Sequence, residues 1–370
     1  DLDASTTFYV ALGLLAVEEK GRQNSKATPL MHTVVLKCPD ILQQPIILLE
    51  QDSASKPCSK DGHANGQPLR HAYDVGIGRI CFGVEDVSQE VSRLGKLGYS
   101  VIAPPVTDQP GSVNKDGKNN EPRVVIAAFR DPSGNMVELV SLEPSFIIKF
   151  IIRVWRLAYS VKFPIFVHVN VNASCYEHTW EAYQQLCCIL AKHYGRVVNT
   201  LYKALGIQDP GVAKSCSLIK LVNDAIFTID LIEWESPKAM TTNATVSSDP
   251  QPIQIAVSVA DVPTMLDELT TSGLWKPLSP PKCIGIPYLR DSAVSATVLD
   301  PDGLRVEIVA LPNASEGAER FRRAEKNNIH VVLVSGCDSG LGRSLACRIA
   351  ALGFKVVAAC YTASGAAYLK

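Results

Sequence analysis

A ten-residue phrase occurs twice in this chain with little change. Arg130-Asp-Pro-Ser-Gly-Asn-Met-Val-Glu-Leu139 is answered by Leu299-Asp-Pro-Asp-Gly-Leu-Arg-Val-Glu-Ile308. Asp-Pro-x-Gly is turn chemistry, because proline fixes φ and glycine tolerates a positive one. The residues that follow alternate as a strand, which sets Glu138 and Glu307 among apolar neighbours. A carboxylate in such a place needs a partner, and a metal ion is one of the few good ones. The chain is therefore expected to be an internal duplication built around that strand.

A second matched pair supports the duplication. Ile80-Cys-Phe-Gly-Val-Glu-Asp-Val87 and Ile255-Ala-Val-Ser-Val-Ala-Asp-Val262 each open a strand-to-helix unit upstream of the repeated turn. The first copy reads as a short helix over 1–14, strands near 31–37 and 45–50, and a polar loop over 51–70. A strand over 79–84, a helix over 86–98 and strands over 123–129 and 135–142 complete it. The second copy reads as a strand over 165–171, a long helical region over 174–205, and strands over 216–222 and 226–233. A polar loop over 236–251, a strand over 253–259, a helix over 261–272 and strands over 293–299 and 304–311 follow.

Composition limits the functions open to the chain. Its 36 Lys and Arg against 37 Asp and Glu leave a formal charge of -1, with no basic excess to neutralise phosphates, so nucleic acid is not an expected partner. Eleven cysteines without Cys-x-x-Cys spacing suggest reduced thiols in a cytoplasmic protein. The chain starts at Asp1 and stops within its last motif, so it reads as a piece of something longer. Between the copies, Phe146-Ile-Ile-Lys-Phe-Ile-Ile-Arg-Val-Trp-Arg-Leu-Ala-Tyr-Ser-Val-Lys162 is too interrupted by charge to span a bilayer. It has two readings: a peripheral membrane-surface helix with a basic stripe at Lys149, Arg153 and Arg156, or a connector whose apolar face packs on its neighbours.

The repeated βαβββ order, the Phe8-Tyr9…Leu12-Gly13 helix and the two Asp-Pro-x-Gly…Glu strands resemble the vicinal oxygen chelate superfamily, which includes glyoxalases, epimerases, extradiol dioxygenases and bleomycin-resistance proteins. The resemblance implies an α+β fold of tandem βαβββ modules over 1–144 and 164–312, joined by 145–163, with the two modules paired within the chain. It implies one metal ligand from the first strand of each half and, in the isomerases, one from the last. On that pattern Phe166-Val-His-Val-Asn-Val171 offers His168. Phe227-Thr-Ile-Asp-Leu-Ile-Glu233 offers Asp230, whose face excludes Glu233 by period-two alternation. Gln254 takes the third position and Glu307 the fourth.

This set of His168, Asp230, Gln254 and Glu307 would hold a divalent ion (Zn, Ni, Mn, Fe or Co) and leave room for adjacent oxygens of a small carbonyl or carboxylate substrate. The implied chemistry is that of a lyase or isomerase passing through an enediolate, with Glu307 as the catalytic carboxylate that moves the proton. The alternatives are a module that binds a ligand without catalysis, and an appendage of a larger oxidoreductase. In the first module the corresponding positions are Ile47, Arg79 and Glu138, with the first strand preceding Asp1. That module is expected to be degenerate, with Arg79 either neutralising Glu138 or holding an anion.

A charged linker over 313–328 leads to Ile329-His-Val-Val-Leu-Val-Ser-Gly-Cys-Asp-Ser-Gly-Leu-Gly342 and then Lys355-Val-Val-Ala-Ala-Cys360. Strand, glycine turn, helix and strand are expected there, a βαβ Rossmann-like fragment over 329–370. Its wording resembles the start of the short-chain dehydrogenases. The resemblance implies an NAD(P) pyrophosphate on Ser335, Gly336, Ser339, Gly340, Leu341 and Gly342, at the helix N-terminus. The catalytic Tyr-x-x-x-Lys of that family is nowhere in the chain.

Overall fold

The computed structural model describes residues 2–18, 31–38, 47–52, 71–108, 123–142, 163–186, 188–207, 211–221, 227–238, 254–285, 292–310, 331–335 and 355–359. They divide into two compact units, Asp1–Ala310 and Leu311–Lys370.

In the first unit, copy one runs α1 (Leu2–Leu12), β1 (Leu15–Glu18), β2 (Met31–Lys37), β3 (Ile47–Asp52), β4 (Gly76–Gly83), α2 (Val87–Lys96), β5 (Val106–Asp108), β6 (Val124–Arg130) and β7 (Met136–Leu142). Copy two opens with β8 (Ile165–Ala173), α3 (Tyr176–Gln185), β9 (Cys188–Asn199), a 3-10 turn (Thr200–Leu205), β10 (Gly211–Leu221) and β11 (Thr228–Ser236). It closes with β12 (Ile255–Ser258), α4 (Val262–Thr271), β13 (Lys276–Pro277), β14 (Lys282–Gly285), β15 (Ser292–Leu299) and β16 (Arg305–Ala310).

The strands do not sort by copy. An eight-stranded sheet has the order β5-β6-β7-β4-β8-β11-β10-β9, so the later half of copy one continues into the earlier half of copy two. The join is an antiparallel pair, β4 against β8, with Arg79 opposite Asn170 and Cys81 opposite His168. The remaining halves lie in a three-stranded sheet, β1-β2-β3, and a second sheet in which β12-β16-β15-β13 are neighbours. Strands from residues 76–83 and 165–173 are thus hydrogen-bonded neighbours in one sheet.

Local chemistry explains the elements. Asp86 and Asp261 cap α2 and α4, each side chain accepting from a backbone N–H three residues on. The two Asp-Pro-x-Gly turns are built alike. Asp131 Oδ1 accepts from the N–H groups of Ser133 and Asn135, and Asp300 Oδ1 from those of Asp302 and Leu304. A helix tyrosine docks on each: the Tyr9 hydroxyl lies 3.0 Å from Asp131 and that of Tyr183 3.4 Å from Asp300. The repeated aspartate therefore ties each copy's helix to the turn before its glutamate strand.

One face of the large sheet packs into a core spanning both copies, with Phe82 and Phe166 in contact across the join at 5.1 Å between ring centroids. The other face carries a smaller apolar cluster that includes Met136, Tyr202, Ile232 and Trp234. Gly78 lies on β4 at the join, where a Cβ would stand 2.6 Å from the side chains of both Asn170 and Asn172.

One sequence expectation fails. The helical region over 174–205 ends at Gln185, and Cys188–Asn199 is the edge strand β9. Leu, Ala and Lys favour helix there, but Gly195 at φ +67° breaks it, and β10 supplies a long pairing partner. The 146–162 segment, with both of its readings, lies outside the described residues, among which no helix is long and apolar enough to cross a membrane. The second unit shows β17 (Val331–Ser335) parallel to β18 (Lys355–Ala359). Ser335 ends β17, whereas Gly336, Ser339, Gly340, Leu341 and Gly342 lie outside the described residues.

Candidate metal centre at the join of the copies

The join gathers polar side chains that the linear sequence separates. Glu138 on β7, Cys81 on β4 and His168 on β8 occupy one cross-strand row, since Cys81 is the partner of both. Directly opposed residues point to the same face of a sheet. Along β4, Arg79 and Cys81 alternate with the core residues Ile80 and Phe82, and on β11 Asp230 lies across β8 from Arg79 by way of Asn170.

Arg79 is buried and stays charged. Burial opposes its charge, but the carboxylates of Glu138 and Asp230 more than offset that. Its Nε donates to Glu138 Oε2, and its Nη2 to Asp230 Oδ2 at 3.1 Å. The ion pair of Arg79 with Glu138 expected from the sequence is present, and it draws in an acid from the other copy. Burial alone would raise the Glu138 carboxyl; the Arg79 charge and then His168 hold it below the usual carboxylate range. One guanidinium thus faces two carboxylates.

Glu138 Oε1 is turned the other way. The Cys81 sulfur lies 3.6 Å from it and His168 Nε2 lies 4.0 Å from it. These three donor atoms all fall within 4.8 Å of one another. His168 Nε2 is buried without a hydrogen-bond partner, as are Arg79 Nη1 and Asn170 Oδ1. Burial lowers the imidazole pKa, with Asp230 and then Glu138 opposing that shift. Burial, followed by the Glu138 charge, keeps the Cys81 thiol well above its ordinary value.

The sequence-derived residues are redistributed. His168 and Asp230 belong to this cluster. Gln254, exposed just before β12, and Glu307, half-buried on β16, belong to the second sheet. The set expected within one copy is thus split between two sheets, because β8 pairs with β4 rather than with β12. Glu138 stands in the row where Glu307 was expected. The choice of Asp230 over Glu233 on alternation agrees with their surroundings: Glu233 instead accepts from the N–H of Tyr176 and pairs with Lys214 at 2.6 Å. Cys81 was missed, although its spacing of two from Arg79 on one strand was a usable signal.

Known proteins bear out the fold. Residues 1–139 match the sequence model of the Glyoxalase/Bleomycin resistance protein/Dioxygenase superfamily. Among solved structures, glyoxalase I from Zea mays is similar with a TM-score of 0.53 at 15% identity, over 89% of this chain and 93% of that one. A point variant of that maize enzyme gives 0.53 at 16%, over 86% and 91%. Likeness at this identity is a likeness of fold. No curated protein sequence matches the chain. The superfamily model is thus matched over residues 1–139, and the solved structures share the fold over most of the chain.

Proposed function

We propose that this protein is a metal-dependent lyase or isomerase of the vicinal oxygen chelate type, acting on a small carbonyl or carboxylate compound, with its reaction centre at the β4–β8 join. The observation that carries this reading is the buried, unpartnered His168 Nε2 facing an oxygen of the ionised Glu138. A buried imidazole nitrogen without a hydrogen bond, beside a buried carboxylate oxygen, is costly. A divalent ion held by His168 and Glu138 resolves both, so these residues fit the metal that the superfamily resemblance implies.

When bound, such an ion polarises a substrate oxygen and acidifies the neighbouring C–H. The rest falls to the chain's own groups. Glu138 is unprotonated and takes the proton-moving role that the sequence had suggested for Glu307. Arg79 fixes Glu138 through Oε2 and orients Oε1, as supporting residues of metal ligands commonly do. Asp230 is anchored by Arg79 and, at 3.6 Å, by the Cys216 thiol. The NAD(P) reading of the second unit rests on its sequence.

The test is exchange of a substrate proton. Purified chain loaded with a divalent metal should incorporate deuterium from solvent at the α-carbon of small hydroxycarbonyl or carboxylate compounds. Glu138→Gln should slow that exchange by at least about a hundredfold, and Glu307→Gln should leave it unchanged. Metal binding without exchange of any such compound would favour the non-catalytic binding alternative.

A further inference from the structure

We propose that Cys81 is a metal ligand, so that the join of the two copies holds a divalent ion through one thiolate, one imidazole and one carboxylate oxygen. This rests on the metal reading of the preceding paragraphs and sharpens it. Neither the repeated motif nor the matched strand positions assign any role to Cys81.

The argument is geometric. The position on β4 that matches Gln254 of the second copy is Arg79, a cation, which cannot bind a metal. Two residues on, Cys81 returns to the same face at the middle of the row, between Glu138 on one neighbouring strand and His168 on the other. In that row His168 Nε2 and Glu138 Oε1 lie 4.0 Å apart, and the Cys81 sulfur lies 3.6 Å from the same oxygen. Donors around a tetrahedral ion with N and O at about 2.0 Å and S at about 2.3 Å lie roughly 3.3–3.7 Å apart. The sulfur–oxygen distance already falls in that range, the nitrogen–oxygen distance has to close by about 0.7 Å, and sulfur and nitrogen lie within 4.8 Å of each other. Arg79 contributes by occupying Oε2, which leaves Oε1 facing the sulfur and the ring.

Charge points the same way. In the metal-free cluster one guanidinium faces two carboxylates, which leaves a formal excess of one negative charge. A divalent ion with a Cys81 thiolate brings the sum to zero. On binding, the S–H bond breaks, its proton leaves to solvent and the sulfur lone pair enters the metal shell, with no change of oxidation state. A thiolate and an imidazole suit zinc or cobalt better than magnesium or manganese.

Cobalt(II) reports on this directly. The full chain loaded with cobalt should show visible ligand-field bands together with a near-ultraviolet thiolate-to-cobalt charge-transfer band. Cys81→Ser should lose the charge-transfer band and bind cobalt at least about tenfold more weakly, whereas replacing the exposed Cys283 by Ser should leave wild-type behaviour. X-ray absorption of the zinc-loaded wild-type chain should show one sulfur at about 2.3 Å, a readout that needs no variant. Ligand-field bands without charge transfer in the wild type, a charge-transfer band that survives in Cys81→Ser, or a zinc shell free of sulfur would each overturn the ligand assignment while leaving the metal reading standing. Failure of the wild type to bind cobalt at all would overturn both.

Discussion

Glu138 and Glu307 hold the same place in the repeated phrase, yet their surroundings differ. Glu138 is buried at the join of two copies, ion-paired to Arg79 and facing His168. Glu307 is half-buried on β16, beside Ala256 of β12 and Thr297 of β15. The difference arises from the strand that lies alongside. β4 has β8 as its outer neighbour, whereas β12 ends its sheet among the described residues. A duplicated motif fixes where a carboxylate sits on its own strand, and the neighbouring strand decides what that carboxylate meets.

The comparison breaks most sharply at Arg79. Replacing it by Met leaves Glu138 and Asp230 buried without their countercharge, and should lower stability to urea by about 3–5 kcal/mol. Glu307→Gln should change it by less than about 0.5 kcal/mol. Equal effects would mean that the two glutamates are equivalent after all.

The turns beneath those glutamates also diverge, at the third residue of Asp-Pro-x-Gly. Burial, with the second carboxylate of Asp302 nearby, pushes Asp300 up to about 7. Asp131 has Ser133 at that place and a further bond from the Asn135 amide, and is raised without such a neighbouring acid. A folded-state value above the unfolded one means that the folded chain holds the proton more tightly. Stability from this group is therefore complete below about pH 4 and is lost as pH rises to about 7, by on the order of 4 kcal/mol. Asp300→Asn, which keeps the acceptor oxygen for the turn, should flatten urea midpoints measured from pH 5 to 8. Asp131→Asn should flatten them less.

At the join itself, Gly78→Ala should cost about 1–3 kcal/mol, because the added methyl meets Asn170, Asn172 and the Ala72 carbonyl. The smallest effects belong to the docked tyrosines. Tyr9→Phe should cost about 1 kcal/mol and Tyr183→Phe less, in line with their hydrogen bonds of 3.0 and 3.4 Å; thermal midpoints resolve the pair.

Much of this fold could be read from local chemistry. The aspartate caps of α2 and α4, the two Asp-Pro-x-Gly turns and the alternation that separates Asp230 from Glu233 are all decided within a few residues. The pairing of β4 with β8 was not legible, because it joins residues some ninety positions apart. That long-range choice sets His168 and Asp230 beside Arg79 and Glu138, while Gln254 and Glu307 belong to another sheet or its edge. The β9 strand escaped for a similar reason: its helix-favouring residues are overridden by a partner strand. The repeat that marked the chain as duplicated could not say which halves would meet.

The composite origin of the site is tested most directly by the metal content of the purified chain and its variants. About one divalent ion per wild-type chain is expected, lost in both His168→Ala and Glu138→Gln and retained in Glu307→Gln. Loss in Glu307→Gln with retention in Glu138→Gln would contradict a centre shared between the copies, and a wild-type chain that takes up no metal would contradict the centre itself.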